Sequence, residues 1–302
     1  MNIRRDDADR GQSGAPTVGI VGAGPVGTAL GVAISRAGWP VAAVSSRDEG
    51  RRDRFLSLVP RCRAFAEPAA MLDEVAVVIL AVPDDAIPAV VEPLRLHSGQ
   101  ALVHTSGLLG AEVLESALAA GSHIGAFHPL VSFTPDVERS VEGLKGATIA
   151  LEGDDAVMGL LADLADAIGG VAVRLPRGTK PAYHAAAVLA SGGLVALLDA
   201  IVTLGAAVGL DERGSLAVYG RLMEQTLANA RAIGVGAALT GPITRGDAGT
   251  LEAHLEALGR LAPGVVDLYL AAARRELRIA EERRALSPEQ LERVRTALAK
   301  VV

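Results

Sequence analysis

The sequence predicts an α/β protein, with a doubly wound parallel sheet in the first part of the chain and an all-helical C-terminal domain after it. Three observations predict this fold. Short apolar stretches rich in β-branched residues alternate with helical patterns as far as Pro176. A turn with three glycines follows the first apolar stretch. Beyond Pro176, almost every pattern is helical. At 302 residues the chain is long enough for two domains with their own cores.

Composition excludes several classes of protein. The net charge is −6 and no basic stripe interleaved with aromatic residues is present, so we do not expect a nucleic-acid partner. The single cysteine, Cys62, excludes an intramolecular disulfide and fits the reducing cytoplasm. Residues 1–16 combine mixed charge with Gly and Ser, which predicts a disordered leader rather than a signal peptide. The His, Cys and acidic residues lack metal-ligand spacing, so no metal is expected.

One apolar stretch, Ala185–Leu210, is long enough to span a bilayer and contains a single charge, Asp199. The pair Gly192-Gly193 interrupts it, aromatic belts are missing, and Asp199 would lie deep in lipid. We therefore predict no membrane contact, and a helix that protein buries on all sides.

The start of the first domain carries the clearest motif. Thr17–Val21 has the pattern of a buried strand, and it leads into a G-x-G-x-x-G turn and then a helix. Gly22 permits the tight turn, Gly24 leaves the backbone open to a pyrophosphate, and Gly27 lets helix and strand pack closely. The free N–H groups at the helix N-terminus attract phosphate. We predict a dinucleotide cofactor bound to Gly22, Ala23, Gly24, Pro25, Val26 and Gly27.

The end of the second strand, Val41–Val44, indicates which dinucleotide binds. A site that prefers NAD usually has an acidic residue here for the ribose 2′-hydroxyl. This chain has Ser45, Ser46 and Arg47, and hydroxyls with a guanidinium suit a 2′-phosphate. The sequence therefore predicts NADP(H). The alternative is a solvated turn, because Asp48 follows directly.

Further strands alternate with helices along the rest of the first domain. The predicted strands are Arg61–Phe65, Val75–Val82, Ala101–His104, Ile124–Phe127, Ala147–Leu151 and Val171–Leu175. Helices are expected from Asp84 to about Leu96 and over Asp154–Ile168. In a doubly wound sheet the ligand lies beyond the carboxyl ends of the strands. The residues expected at that edge, besides the glycine turn, are Ser45, Ser46, Arg47, Val82, Pro83, Ser106 and His128.

A helical domain for substrate binding is predicted from residue 177 to residue 302. Its helices are expected over Pro181–Leu210, Gly214–Ile233, Thr250–Leu261, Gly264–Ala285 and Pro288–Val301. A glycine-rich, non-helical loop, Leu239–Asp247, interrupts them and is a candidate substrate loop. Its Thr240 and Arg245 could bind a substrate carboxylate, although Arg245 could equally pair with Asp247.

The predicted catalytic residues are Lys180, His184 and His128. Lys180 is one of three lysines and lies at the start of the apolar helix, with His184 four residues later on the same helix face. Reduction of a ketone needs a proton on oxygen, and a lysine ammonium with an adjustable pKa can supply it. The alternative is a solvated lysine and a packed histidine. His128 closes a strand at the ligand edge, and Ser106 could hydrogen-bond a carboxylate or the nicotinamide amide.

Six motifs carry a resemblance over nearly the whole chain. The chain contains GIVGAGPVG, VILAVPDDAI, VHTSG, GAFHPLVSF, KPAYHAAAVLASGGLVAL and LTGPITRGD. With these motifs it resembles a bacterial family of predicted oxidoreductases, in which a Rossmann-like domain precedes a helical domain of unassigned function. Related folds are pyrroline-5-carboxylate reductase, deazaflavin-dependent NADP oxidoreductases, ketopantoate reductase and β-hydroxyacid dehydrogenases.

The resemblance implies an NADP-dependent oxidoreductase and a homodimer formed through the helical domain. Ketopantoate reductase and β-hydroxyacid dehydrogenases have a Lys followed four residues later by Asn, where this chain has Lys180 and His184. The family usually has Asn after its helix serine, but here Ser191, a predicted substrate residue, precedes Gly192. The expected reaction is reduction of a small 2-oxo acid, with 2-dehydropantoate (ketopantoate) first. The alternatives are an imine reductase of the pyrroline-5-carboxylate type and a non-catalytic NADP-binding protein.

Overall fold

The structure, a computed structural model, describes residues 14–299. The predicted disordered leader therefore lies outside the described residues as far as residue 13. The chain forms two compact units, Met1–Val188 and Leu189–Val302. The units divide within the apolar helical stretch, whereas the predicted domain boundary, between residues 176 and 177, precedes that stretch.

An eight-stranded sheet, in the order β3-β2-β1-β4-β5-β6-β7-β8, is the framework of the first unit. Its crossovers place the strand ends of β1, β4 and β5 side by side at one edge, which is the arrangement that the sequence predicts. The strands are β1 (Val18–Val21), β2 (Val41–Ser45), β3 (Arg63–Phe65), β4 (Val77–Leu80), β5 (Ala101–His104), β6 (His123–Pro129), β7 (Thr148–Gly153) and β8 (Val171–Arg174).

The sheet is parallel, as predicted, except at one pair of strands. β7 runs antiparallel to β6, with Phe127 opposite Leu151, while the other pairs in the sheet are parallel. The segment between these strands leaves and re-enters the sheet at the same end, since the Leu130 N–H donates to the Thr148 carbonyl at 2.8 Å. A chain that returns at the same end pairs antiparallel.

Helices cover both faces of this sheet. They are α1 (Pro25–Arg36), α2 (Glu49–Leu58), α3 (Ile87–Val91), α4 (Val137–Glu142), α5 (Asp155–Ala167) and α6 (Lys180–Val188), with 3₁₀ segments at Pro68–Glu74, Asp84–Ala86 and Ala111–Ala120. α1, α2 and α5 contribute to one buried apolar layer, and α3 contributes to the other with the two longer 3₁₀ segments. The central strands β1 and β4 are buried along their whole length, as expected for strands covered on both faces.

The helix predicted from Asp84 to about Leu96 is shorter than expected. The chain forms the 3₁₀ turn Asp84–Ala86 and then α3, which ends at Val91. Pro93 has no N–H to continue the helix, which accounts for this end.

The second unit is helical throughout its described elements. A π-helical turn, Leu189–Gly193, leads into α7 (Leu194–Ala207), α8 (Glu212–Ile233), α9 (Val235–Ala238), α10 (Pro242–Arg245), α11 (Ala248–Leu261), α12 (Val266–Glu282) and α13 (Pro288–Ala299). The core of this unit lies among α10, α11, α12 and α13. The loop predicted to be non-helical over Leu239–Asp247 therefore contains the short helix α10, because Pro242 starts a helical turn that buries Ile243.

The helix predicted to be buried on all sides by protein is exposed within the single chain. Lys180–Ala207 is long and apolar enough to cross a membrane by length and composition, but almost none of its most apolar window is buried. Core helices of soluble proteins meet the same criterion. Val195 is 64% exposed and Leu189 is 73% exposed. The main core of the second unit forms among later helices, and Ala200 of α7 is buried in a smaller cluster with Leu258, Ala262 and Val265.

Candidate functional site

A cavity of about 830 Å³ opens at the carboxyl edge of the sheet, above the ends of β1, β2 and β4. Its volume is in the range of pockets that hold whole cofactors. Most residues predicted to bind the cofactor line it: Gly22, Ala23, Gly24, Pro25, Val26, Ser45, Ser46, Arg47, Val82 and Pro83. Gly27 and Ser106 do not line it.

The glycine turn has the geometry of a phosphate cradle. Gly22 has a φ of +103°, a conformation that L-residues rarely adopt. A Cβ on Gly27 would collide with the Gly22 carbonyl, so this glycine allows α1 to approach the turn. A Cβ on Gly24 would meet nothing within 4 Å, because Gly24 faces open space. No side chain caps the N-terminus of α1, so its first N–H groups are available to a phosphate.

The end of β2 presents polar groups to the same cavity. Ser46 and the exposed Arg47 line it, and no ion pair involves the Arg47 guanidinium within residues 14–299. Arg52 holds the backbone of this turn, since its Nη1 donates to the Ser46 carbonyl at 2.6 Å. Ser45 is buried and its hydroxyl donates to the Ala66 carbonyl at 3.4 Å. A free guanidinium beside a hydroxyl is a donor set that suits a phosphate dianion.

Lys180 is buried at the same edge of the first unit and is 1% exposed. Its Nζ donates to the Ser106 carbonyl at 2.5 Å. Burial lowers the pKa of Lys180 to about 8, against the opposing attraction of Glu152, Asp84 and Glu112. A lysine with this pKa is largely protonated at neutral pH and can release its proton readily. The alternative of a solvated surface lysine is therefore excluded.

Ser106 has its hydroxyl fully engaged by protein. The hydroxyl donates to Asp84 Oδ2 at 2.7 Å and accepts the N–H groups of Leu108 and Leu109 at 3.1 and 2.9 Å. Asp84 therefore fixes the turn whose carbonyl binds Lys180. The sequence predicts Asp84 only as the start of a helix, although its position directly after a buried strand and Pro83 places it at the ligand edge.

His128 and His184 lie together around Gly107. Their ring centroids are 5.8 Å apart in an edge-to-face arrangement, and a Cβ on Gly107 would collide with the His184 ring and approach His128 Nε2 closely. His128 Nδ1 is 3.2 Å from the Tyr183 hydroxyl. His184 Nδ1 is buried and has no hydrogen-bond partner among the described residues. The structure thus brings two of the predicted catalytic histidines together, and sequence reasoning missed Tyr183.

The buried His104 and the half-buried His128 are both neutral at physiological pH. Burial, with a contribution from the nearby Lys180 charge, lowers the pKa of each to about 4. His104 Nδ1 accepts the Ser106 N–H at 3.2 Å, so its Nε2 carries the proton and donates to the Gly110 carbonyl at 3.1 Å. His104 is therefore a structural link across the turn after β5.

The remaining predicted substrate residues belong to the second unit. Ser191 is exposed on the π-helical turn. Thr240 lines a cavity of about 270 Å³, and Arg245 is exposed at the end of α10. Asp247 caps α11 by accepting the Thr250 N–H at 3.1 Å, which explains its place in the loop without an ion pair to Arg245. The roles of Ser191, Thr240 and Arg245 toward a substrate stay predictions.

Among residues 14–299, no group of three or more His, Cys, Asp or Glu side chains is arranged to hold a metal ion.

Two family profiles match the sequence. A Rossmann-like domain matches residues 4–129, and DUF2520, a domain of unknown function, matches residues 147–276. This pair of matches confirms the predicted combination of a Rossmann-like domain with a C-terminal domain of unassigned function. No curated protein matches the sequence.

Solved structures share the fold over nearly the whole chain. BF3122 from Bacteroides fragilis, described as a candidate NADP oxidoreductase, is 22% identical with a TM-score of 0.70 over 87% of this chain and 98% of its own. TM1727 from Thermotoga maritima is 27% identical, with a TM-score of 0.67 over 88% and 99%. An imine reductase from Pseudomonas sp. is 18% identical, with a TM-score of 0.66 over 90% and 100%. Pyrroline carboxylate reductases also match, one of them with NADP bound.

Proposed function

We propose that this chain, which joins a Rossmann-like domain to a DUF2520 domain, is an NADP-dependent oxidoreductase that reduces a small 2-oxo acid. The observation that carries the proposal is the position of Lys180. A buried ammonium is held on the Ser106 carbonyl, one residue beyond Thr105, which lines the large cavity. A proton donor and a nucleotide-sized cavity at one sheet edge are the two parts that a reductase needs.

NADP(H) is the cofactor that the cavity fits. The open backbone at Gly24 and the uncapped N-terminus of α1 suit the pyrophosphate, and Ser46 and Arg47 suit the 2′-phosphate. Several structural neighbours support the same choice, since one is described as a candidate NADP oxidoreductase and another has NADP bound. When bound, the reduced cofactor supplies a hydride.

Lys180 supplies the proton that reduction of a carbonyl requires. Its pKa of about 8 leaves it mostly protonated at neutral pH, so it can polarise the substrate oxygen and then protonate it. The neutral imidazole of His128 and the unpartnered Nδ1 of His184 offer hydrogen bonds that would orient the substrate. Ketopantoate is the first substrate to test among the 2-oxo acids.

A second candidate function is reduction of an imine. The observation that favours it is the fold shared with imine reductases and pyrroline carboxylate reductases. An iminium arrives already protonated, so Lys180 would be dispensable in that reaction and the carboxylate contacts would matter more. A chain that binds NADP without turning over any substrate is the remaining alternative.

The test is oxidation of NADPH by purified protein with ketopantoate, other 2-oxo acids and cyclic imines, with NADH in parallel. Lys180→Met should lower turnover of the oxo acid by about 100-fold or more while NADPH affinity is kept. Lys145→Met is the matched control, because Lys145 is an exposed lysine paired with Glu142. Turnover of an imine alone, unchanged in Lys180→Met, would favour the second candidate.

We also propose a cytoplasmic homodimer that associates through the second unit. α7 and α8 expose large apolar side chains, among them Val195, Leu222 and Leu227, each more than half exposed. Contiguous apolar surface of this kind marks association sites. Leu222→Glu should convert the protein from dimer to monomer in light scattering, and a wild type that is monomeric at micromolar concentration would refute the dimer.

A further inference from the structure

Two oppositely charged side chains are buried in the first unit. Among the residues that the structure describes, Lys180 and Glu152 are the buried lysine and the buried carboxylic acid, 1% and 2% exposed. Burial of either charge alone costs several kcal/mol, so each needs compensation from its surroundings. No proposed step of the reaction uses Glu152.

A chain of hydrogen bonds joins these two residues through the turn after β5. Lys180 Nζ donates to the Ser106 carbonyl, and the Ser106 N–H donates to His104 Nδ1. His104 Nε2 donates to the Gly110 carbonyl, and the next N–H, of Ala111, donates to Glu152 Oε1 at 3.0 Å. These hydrogen bonds therefore attach both the ammonium and the carboxylate to the same turn.

The other oxygen of Glu152 has no partner. Oε2 is buried and makes no hydrogen bond among the described residues. A cap for the 3₁₀ segment at Ala111 requires one acceptor oxygen, which Oε1 already supplies. A serine or asparagine would cap this turn without burying a charge, so capping alone does not explain a carboxylate at this position.

We propose that Glu152 is the counter-charge that keeps the buried Lys180 protonated at neutral pH. Burial alone would drive the lysine to its neutral form, which has no proton for a substrate. Of the carboxylates that raise the pKa of Lys180, Glu152 has the largest effect, followed by Asp84 and Glu112. Glu152 is thus a positioning residue that acts through Lys180.

The other titratable groups whose charge affects Lys180 are either neutral or less buried than Glu152. The two histidines His104 and His128 are neutral above about pH 4, and Glu112 is exposed to solvent, which screens it. Asp84 is half-buried and binds the Ser106 hydroxyl. The ionisable groups around Lys180 are Asp84, His104, Glu112, His128, Glu152, Tyr183 and His184.

The experiment is a ¹³C NMR titration of protein labelled at the lysine ε-carbon, which is tractable because the chain has three lysines, at positions 145, 180 and 300. Glu152→Gln keeps an oxygen for the Ala111 N–H and removes the charge. The pKa of Lys180 should fall by about one pH unit in this variant. Glu115→Gln, an exposed carboxylate on the same 3₁₀ segment, is the control and should leave the pKa in place.

An unchanged Lys180 pKa in Glu152→Gln would overturn the proposal and leave Glu152 as a helix cap. Should Glu152→Gln not fold, the double variant Lys180→Met, Glu152→Gln decides the question. If the two charges compensate each other, the double variant should be more stable in urea than a variant that lacks only one of them. If the two residues act independently, the losses of stability from the two substitutions should add. This inference rests on the proposed function only where it assigns the protonated Lys180 a use in catalysis. The titration needs no substrate, so its failure is distinct from a failure to reduce any oxo acid.

Discussion

Two turns leave the same edge of the sheet, and they are built differently. The turn after β1, Gly22–Gly27, is held by backbone geometry, with a positive φ at Gly22 and close contact between Gly27 and the Gly22 carbonyl. The turn after β5, Thr105–Ala111, is held by polar side chains, of which His104 directly precedes it and Asp84 and Glu152 come from other parts of the chain. The first turn leaves backbone open for a phosphate, and the second brings a carbonyl to a buried lysine.

The comparison teaches that the two turns respond to different changes. A backbone-built turn is sensitive to a Cβ added at Gly22 or Gly27, whereas a side-chain-built turn is sensitive to loss of one hydrogen-bonding partner. Substitutions at each turn test this contrast.

His104→Phe should destabilise the protein by about 2–4 kcal/mol, because it leaves the Ser106 N–H and the Gly110 carbonyl buried without partners. Urea unfolding followed by circular dichroism measures the change. His97→Phe is the control, since His97 lies on the surface. A loss below about 0.5 kcal/mol would show that the second turn does not depend on its side chains.

The same histidine predicts a pH dependence of stability. Its pKa is about 4 in the folded chain and about 6.5 when unfolded, so the unfolded state binds more protons between these values. The free energy of unfolding should therefore fall as the pH falls from about 6.5 to 4. The free energy of unfolding should change less steeply with pH in His104→Phe. Equal slopes in the two proteins would contradict a lowered pKa of His104 in the folded chain.

Gly24→Val should weaken NADPH binding by about 100-fold, or roughly 2.7 kcal/mol, while the protein stays folded. The added side chain meets no protein atom near its Cβ but occupies the approach to the first turn. Gly159→Ala, on α5 and equally free of contacts, is the control for adding a Cβ alone. Fluorescence titration measures the NADPH affinity of both variants. If Gly24→Val binds NADPH as tightly as the wild type, the pyrophosphate must bind elsewhere.

Arg47→Ala should reduce the preference for NADPH over NADH by about tenfold, close to 1.4 kcal/mol. Arg47 is exposed at the cavity and forms no ion pair among the described residues, so its loss should not affect stability. The ratio of kcat/KM for the two cofactors measures the preference. An unchanged ratio would shift the role to Arg51, which also lines the cavity.

The two turns also differ in how well the sequence predicts them. The glycine turn is local, so strand, glycines and helix could be predicted together from eleven consecutive residues, Thr17–Gly27. Lys180 could be predicted as a catalytic residue from its position at the start of the apolar helix. Its contact with Ser106, and the link from Ser106 to Asp84, join residues far apart in the sequence and could not be predicted.

Two further features lay beyond sequence reasoning for physical reasons. Glu152 lies in a strand, where its burial depends on how β7 pairs with β6, and the antiparallel pairing was not predicted. Apolar composition predicted a buried helix at Ala185–Leu210, but composition does not specify which surface covers it. The described chain leaves much of that helix exposed.

The central claim is that Lys180 donates the proton, and the pH dependence of turnover at saturating NADPH tests it most directly. The ammonium is the active form and its pKa is about 8, so kcat should be constant from pH 6 to about 7 and should fall as the pH rises through 8. NADPH binding measured over the same range separates this effect from loss of cofactor. A kcat for the 2-oxo acid that stays constant up to pH 10 would contradict the account.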